Sequence, residues 1–170
     1  PRAGRAGKAS LGPFGRAERP LGRPVSGLEQ VLEDGGPDLV VPPGSQWVVF
    51  VGQAPSRTAS GPPFTGPTGH KLAGLMGMDS EVFLRSFRRA RLFSKYPGPA
   101  PGGQGDAFPM KEARRRARVL QDRLLSEADR VVFVGRAVAT AFGFSSPYLC
   151  WEKWQGRRAA VIPHPSGVNR

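Results

Sequence analysis

Three short runs of β-branched and aromatic residues stand out in a chain that is otherwise rich in polar residues, glycine and proline. The runs cover residues 47–51, 131–134 and 159–162, and none of them contains a polar residue. Unbroken apolar runs of this length are typical of strands that are buried on both faces of a parallel sheet. Gly52 follows the first run and Pro163 follows the last, so we expect each strand to end there.

Segments with helical periodicity lie between these strands. We predict short helices over 71–78, 80–87 and 137–142, and a further short strand over 90–93. Pro109 suits the first position of a longer helix. Its apolar face is marked by residues spaced four, three and four apart: Ala113, Ala117, Leu120 and Leu124. Alternating strands and helices predict an α/β fold, a three-layer α/β/α domain with a short, mostly parallel central sheet.

The chain divides into two parts by composition. Residues 1–46 are rich in glycine, proline and arginine without sustained periodicity, except for a short helical pattern at 28–32. We interpret them as a flexible or loosely attached arm, with an arginine-rich arm that touches nucleic acid as the alternative. Residues 47–170 form the predicted α/β domain, with truncation of the domain after Arg170 as an alternative to a domain that ends there.

The net charge of +12 predicts a polyanionic partner, nucleic acid first. The excess concentrates at 85–123, where 11 basic residues face 3 acidic ones. Arg114 and Arg115 belong to this segment, and they fit a solvated helix face as well as a phosphate contact. A single cysteine excludes an internal disulfide, and two separated histidines make no zinc site, so we predict no metal. No apolar run approaches the roughly 20 residues of a membrane span.

Several common catalytic motifs are absent. The strand at 47–51 is followed by neither a phosphate-binding Gly-x-x-x-x-Gly-Lys-Ser/Thr nor a dinucleotide-binding Gly-x-Gly-x-x-Gly. A Gly-x-Ser-x-Gly nucleophile elbow is also missing from the sequence. These absences exclude the nucleotide-binding and hydrolase classes that depend on such motifs.

The candidate chemistry lies in loops that follow the predicted strands. Residues 52–56 continue into 61–70, and residues 164–170 follow the last strand. Because the carboxyl ends of parallel strands share one edge, we expect these loops to converge with the segment after 90–93. His164 could donate a hydrogen bond to a developing anion or serve a structural role. Phe64 could stack on a base or simply pack in the core.

Three motifs occur in these loops in a fixed order. They are Gly-x-x-Pro at 52–55, Gly-x-Pro-Phe-x-Gly at 61–66 and His-Pro-Ser at 164–166. Together they resemble the signature segments of the uracil-DNA glycosylase superfamily, over about residues 47–170. The continuation at 167–170 is similar to the wedge of the mismatch-specific uracil glycosylase branch.

The resemblance implies an enzyme that flips a damaged base out of DNA and cleaves its N-glycosidic bond. By analogy, His164 would stabilise the departing base as an anion through the pyrimidine O2, and Phe64 would stack on the flipped ring. Gln53 and Ala54 would line the base pocket. The implied DNA contacts are those of Ser56, Ser166, Val168 as the wedge, Asn169, Arg170, Arg114 and Arg115.

The sequence also departs from the family pattern. Ala54 stands where classical members have Asp or Asn to position the attacking water, and Gln53 stands where the iron–sulfur branch often has Glu. Gln53 and His70 are therefore the weaker catalytic candidates for positioning water. Arg91 stands near the position where many members use Asn to read the uracil edge. The cysteines of the iron–sulfur branch are missing, so we expect no cofactor.

The sequence therefore predicts a DNA glycosylase that excises uracil or a related deaminated base in base-excision repair. One alternative is a non-catalytic protein of the same fold that binds lesions or mismatches. Another is an enzyme acting on free nucleotides or nucleosides, against which the basic segment argues. The expected partner is DNA and no membrane, the expected state is a monomer, and the expected location is cytoplasmic (nucleoid-associated) or otherwise intracellular, since no signal peptide is seen.

Overall fold

A computed structural model of the chain describes residues 36–57, 61–103 and 105–165, and these residues form a single six-stranded sheet. The strand order in the sheet is β1-β3-β2-β4-β6-β5. The four inner strands run parallel to one another, and the two edge strands run antiparallel to their neighbours. The strands are β1 Asp38–Val40, β2 Gln46–Gly52, β3 Phe87–Arg91, β4 Arg130–Val134, β5 Glu152–Trp154 and β6 Arg157–Ile162.

Helices connect these strands. They are α1 Pro67–Leu75, α2 Ser80–Ser86, α3 Met110–Glu127 and α4 Arg136–Ala141. The longest helix, α3, buries the predicted apolar face, including Leu120 and Leu124. Pro109 is the residue that caps α3 rather than its first helical residue. The sequence thus placed this helix correctly and missed its start by one position.

Helices cover both faces of the sheet. Side chains alternate along each strand, so neighbouring residues enter different cores. Val49 and Val51 of β2 pack with α3 and α4 in one core, whereas Phe50 between them packs with α1 and α2 in the other. The predicted three-layer α/β/α fold with a short, mostly parallel sheet is confirmed.

The two edge strands were not predicted from the sequence. β1 lies inside the segment interpreted as an arm, and it pairs with β3 through Asp38 opposite Arg91. β5 contains two exposed charged residues and one buried residue, Trp154, which gives no apolar run. Short edge strands with so few apolar residues carry little signal in a hydrophobic pattern. Residues 1–35 of the predicted arm, including the helical pattern at 28–32, lie outside the described residues, whereas residues 36–46 are described.

The strand β3 also differs from its prediction. It begins at Phe87, three residues before the predicted start, because Arg88 and Arg89 are buried strand residues. Arg88 lies over the Trp47 ring at 4.1 Å and bonds the carboxylate and carbonyl of Glu127. These contacts let charged residues occupy positions that usually hold apolar ones.

Candidate active site

A cleft opens where the inner strands end. It is lined by residues that follow β2, by the loop before α1, and by single residues that end β3 and follow β6. The segment after Phe93 lies alongside, where residues 94–96 line a neighbouring hollow together with Pro55 and Ser56. The predicted convergence of the loops is therefore observed. The predicted site residues that line the cleft are Gln53, Ala54, Ser56, Phe64 and His164.

Phe64 is held in an unusual backbone conformation. Its φ of 64° lies in the left-handed region, which is costly for a residue with a side chain. Two glycines make room for it. A Cβ on Gly52 would lie 2.9 Å from the Phe64 ring, and a Cβ on Gly69 would lie 1.7 Å from the Phe64 carbonyl oxygen. The ring also packs edge-on against Phe83, with centroids 6.3 Å apart. Phe64 is therefore a fixed wall of the cleft.

The loop that carries Phe64 is braced from below by Arg89. The Arg89 guanidinium is buried and donates a hydrogen bond of 2.8 Å to the carbonyl oxygen of Pro63. Burial lowers the pKa of Arg89 from its ordinary value. The Thr65 hydroxyl donates a second bond within the loop, 2.9 Å to the Pro62 carbonyl oxygen. Arg89 was not predicted from the sequence, where the only signal was an arginine pair beside apolar residues.

His164 stands two residues beyond the end of β6. The backbone N–H of Gly135 donates to the Ile162 carbonyl oxygen at 2.9 Å, which joins the ends of β4 and β6 below the histidine. Gly135 has a φ of 98°, a conformation suited to glycine, and a Cβ there would lie 3.5 Å from the His164 Cβ. His164 is therefore anchored through the strand below it and packs closely beside Gly135.

The surroundings of His164 favour its neutral form. Burial lowers the pKa of His164 from its ordinary value, and the negative charge of Asp106 opposes that shift without cancelling it. At neutral pH the imidazole then carries one N–H donor and no net charge. Such a ring can donate a hydrogen bond to an atom that becomes negative during a reaction.

The Gln53 side chain is already engaged. Its amide Nε2 donates a hydrogen bond of 3.0 Å to the carbonyl oxygen of Ala107, and its own backbone carbonyl accepts from the N–H of Phe93 at 2.9 Å. Ala54 beside it packs against the core. Among the described residues that line the cleft, none is acidic. The position of Gln53 is thus fixed. One of the two N–H donors of its side-chain amide is already bonded to Ala107 and is not available to a water molecule.

The acidic group that influences His164 belongs to a loop that the sequence did not point to. The negative charge of Asp106 acts to raise the pKa of His164, against the larger effect of burial. The carbonyl oxygen of the neighbouring Ala107 accepts the Gln53 hydrogen bond. The Asp106 carboxylate also accepts a hydrogen bond of 2.9 Å from the Tyr96 hydroxyl. Its position in a glycine- and proline-rich loop gave no pattern from which its proximity to the cleft could be predicted.

Arg91 lines the cleft from the end of β3. Its Nε donates to the carboxylate of Asp38 at 2.6 Å, and Nη2 approaches the same oxygen. β1 supplies this carboxylate because Asp38 is the register partner of Arg91. The edge strand therefore orients a guanidinium at the cleft, and a guanidinium can only donate hydrogen bonds.

The structure does not bring His70 to the cleft. His70 is exposed on α1, while the preceding residue, Gly69, is buried against Phe64. Successive helical residues point about 100° apart, so a residue next to the buried one can face solvent. Ser56, by contrast, lines the cleft, and its buried hydroxyl has no hydrogen-bond partner within the described part of the chain.

Only some of the basic side chains in the segment 85–123 are exposed on the surface. Arg88, Arg89 and Arg116 are buried, and Arg116 bonds Glu112 at 2.7 Å. Arg115 pairs with the same carboxylate, which its side chain reaches at 2.9 Å. Arg114 is exposed. The charge excess therefore overstates the cationic surface, because several guanidinium groups have internal structural partners.

Four predicted DNA contacts cannot be placed. Ser166, Val168, Asn169 and Arg170 lie outside the described residues. Across the described ranges, no three His, Cys, Asp or Glu residues cluster in a way that could hold a metal ion. None of the helices in those ranges has the length and apolar character needed to cross a membrane.

An α/β/α domain whose loops form such a cleft at the carboxyl ends of its strands belongs to the class that binds ligands at this edge. The family model described as the uracil DNA glycosylase superfamily matches residues 40–170, and the chain belongs to that superfamily. The activity of the superfamily is that of a DNA glycosylase, a hydrolase that acts on DNA. A search of curated proteins found no match.

Proposed function

We propose that this chain is a DNA glycosylase that excises uracil or a related deaminated base from DNA. The observation that carries the proposal is the cleft itself, in which a neutral imidazole, a fixed aromatic ring and a glycine-lined backbone face one space. The chain's membership of a glycosylase superfamily supports the same reaction. Family membership alone does not identify the base, so the proposal depends on what these groups can do.

The reaction cleaves the bond between the base nitrogen and C1′ of the deoxyribose. The electron pair leaves with the base, and the sugar becomes an oxocarbenium ion. Water then adds its oxygen to C1′, and one proton from that water is released to the base or to solvent. The products are a free base and an abasic site in DNA.

His164 would act on the leaving base. Its neutral imidazole can donate a hydrogen bond to a base oxygen that gains negative charge as the bond breaks. Because this oxygen is more negative in the transition state than in the bound substrate, the bond is strengthened where it accelerates the reaction. Removing one such donor typically costs about 100- to 1000-fold in rate.

Phe64 would hold the flipped base. Its ring lies against the Gly52 backbone, and Gly69 fixes the peptide that carries it. An aromatic face stacks on any base, so this contact contributes affinity without choosing the base. Arg91 would select among bases. Its guanidinium offers hydrogen-bond donors to carbonyl oxygens and none of the acceptors that an exocyclic amino group needs. This pairing favours deaminated bases, in which an oxygen replaces an amino group.

A non-catalytic, lesion-binding protein is the second candidate function. The observation that favours it is the apolar Ala54, together with a Gln53 amide that is bonded to Ala107. Neither side chain offers a carboxylate to position water. Stabilisation of the leaving base by His164 can still support hydrolysis, since breaking the glycosidic bond is the harder step in a dissociative mechanism.

A substrate panel separates the two candidates. Duplexes carrying uracil, hypoxanthine, xanthine or mismatched thymine would be incubated with the protein, and abasic sites would be detected by alkaline strand cleavage. We expect product from at least one deaminated base and its loss in His164→Ala. Binding without product on every duplex would contradict the glycosylase proposal and support the lesion-binding alternative.

His70→Ala provides the matched histidine variant. The sequence pattern made His70 a candidate for positioning water, whereas the structure leaves it exposed on α1. We therefore expect the product yield of His70→Ala to equal that of the unmodified chain. A loss as large as that of His164→Ala would restore the role that the sequence pattern predicted.

A further inference from the structure

An exposed apolar turn lies at the sheet edge formed by β5 and β6. Tyr148, Leu149 and Trp151, here called the apolar tip, are 39%, 71% and 41% exposed. They occupy the connection between α4 and β5. Three large apolar side chains within four residues form an exposed patch. Such contiguous patches mark interaction sites more often than single exposed apolar residues do.

The apolar tip is held in a fixed conformation. The backbone N–H of Leu149 donates to the Val161 carbonyl oxygen at 2.8 Å, and Tyr148 forms a bridge with the same residue. Leu149 has a φ of 65°, a left-handed conformation that costs free energy for a residue with a side chain. The Ser146 hydroxyl donates within the turn, at 3.2 Å to the Pro147 carbonyl oxygen. These contacts keep Leu149 exposed rather than folded into the core.

The position of the apolar tip is set by the strand that carries His164. Val161, to which the tip is bonded, precedes His164 by three residues. Arg136, which directly follows Gly135 beside His164, places its guanidinium 4.3 Å from the centroid of the Tyr148 ring. The Tyr148 end of the tip therefore lies toward the β6 side of the cleft, opposite the edge formed by β1, whereas Trp151 lies beside Arg158 near the start of β6.

The charge around the apolar tip is positive. Arg136 covers one face of Tyr148, and the Arg158 guanidinium lies 5.8 Å from the Trp151 ring centroid. Over residues 130–158 the sequence has five basic residues and a single acidic one, Glu152. Aromatic rings interleaved with guanidinium groups match a nucleic-acid strand, whose bases stack on the rings and whose phosphates pair with the cations.

We propose that the apolar tip, together with Arg136 and Arg158, is a second DNA-contact surface. It would contact unstacked bases and phosphates beside the nucleotide that enters the cleft. This inference rests on the proposed function only in that DNA is the substrate. It assigns the tip no part in breaking the glycosidic bond.

Cys150 gives a direct test without any substitution. It is the only cysteine in the chain, it is exposed, and it lies within the apolar tip. The rate of its alkylation by a maleimide would be measured with and without a saturating concentration of a duplex that contains a single-base gap. We expect bound DNA to slow alkylation severalfold. An unchanged rate at saturation would overturn the proposal.

Substitutions in the apolar tip give the second test. Leu149→Ser and Trp151→Ala would be compared by fluorescence anisotropy with Leu75→Ser, which changes a leucine that is 78% exposed at the end of α1. We expect the Trp151→Ala variant to bind DNA at least about fivefold more weakly, because each base stacked on a ring contributes about 1 kcal/mol or more. Leu75→Ser should bind as the unmodified chain does, and matching melting temperatures would show that all variants fold.

The outcomes separate this inference from the proposed function. If the tip variants bind DNA with unchanged affinity, the second contact surface is overturned. That result would leave the glycosylase proposal standing. Tip-dependent binding without excision of any base would support the surface and contradict the glycosylase proposal. A chain that binds no DNA at all would overturn both.

Discussion

At the scale of single residues, the cleft depends on side chains whose state is set by burial. His164 is the clearest case, because burial lowers its pKa while the charge of Asp106 partly opposes the shift. The motif at 164–166 was enough to select this residue from the sequence. The motif could not show the neutral state or the influence of Asp106, since both depend on contacts between distant segments.

The His164 shift predicts a pH dependence of stability. In the unfolded chain the imidazole binds a proton as the pH falls through about 6.5, whereas the folded chain resists protonation until a lower pH. Stability that is present above the unfolded pKa is therefore lost as the pH falls through the folded pKa. We expect the melting temperature to fall less between about pH 7.5 and about pH 5.5 in His164→Gln than in the unmodified chain.

The two proteins differ only at residue 164, so the comparison isolates the contribution of that side chain. Thermal unfolding followed by circular dichroism at both pH values would measure the difference. An equal fall in melting temperature in the two proteins would show that His164 titrates alike in the folded and unfolded states.

At the scale of elements, apolar runs predicted three of the four inner strands, whereas the charged inner strand β3 and the two edge strands were shifted or missed. β2, β4 and β6 were predicted because they are apolar on both faces. β3 was shifted because Arg88 is buried against Trp47 and Glu127, an environment that no local pattern encodes. β1 was missed because three residues are too few for a pattern, although Asp38 joins it to Arg91.

The pair of Asp38 and Arg91 predicts how β1 is attached. Asp38→Ala leaves a largely buried guanidinium without its carboxylate, which we expect to lower the free energy of unfolding by about 1–2 kcal/mol. Asp129→Ala is the matched control, because Asp129 forms an exposed pair with Arg157 at 3.4 Å. Urea unfolding would measure both. Equal losses would contradict a special role for Asp38.

The close packing of Gly69 against Phe64 gives a second prediction for α1. Gly69→Ala places a Cβ 1.7 Å from the Phe64 carbonyl oxygen, so the loop must move and we expect lower stability and lower excision activity. Gly74→Ala, in the same helix with open space around it, should raise the free energy of unfolding by about 0.5–1 kcal/mol. Denaturant unfolding and product yield would test the pair. Equal effects would show that the Phe64 loop tolerates displacement.

At the scale of the whole molecule, charge and topology act together. The parallel order of the inner strands brings loops that are more than 100 residues apart to one edge, which the alternation of strands and helices predicted. The charge of +12 predicted a polyanionic partner but not its contact surface. Several arginines of the basic segment are internal, as Arg89 and Arg116 show, and only a structure could separate them from exposed ones.

This separation predicts which arginines control salt dependence. Arg114→Gln removes an exposed cation, and we expect the slope of log affinity against log salt to become shallower by about 1 if Arg114 contacts a phosphate. Arg116→Gln removes a buried cation paired with Glu112, so it should lower stability and leave the slope unchanged. DNA titrations at several salt concentrations would measure both slopes. Equal slopes in all three proteins would remove Arg114 from the DNA interface.

The proposed reaction is cleavage of a glycosidic bond in the cleft, with His164 as the donor to the leaving base. The most direct measurement is single-turnover release of free base from a uracil-containing duplex, quantified by mass spectrometry together with the abasic sites. We expect equal amounts of free base and abasic site, and a rate that falls about 100-fold or more in His164→Ala. Base release at an undiminished rate in His164→Ala would contradict the proposed role of His164.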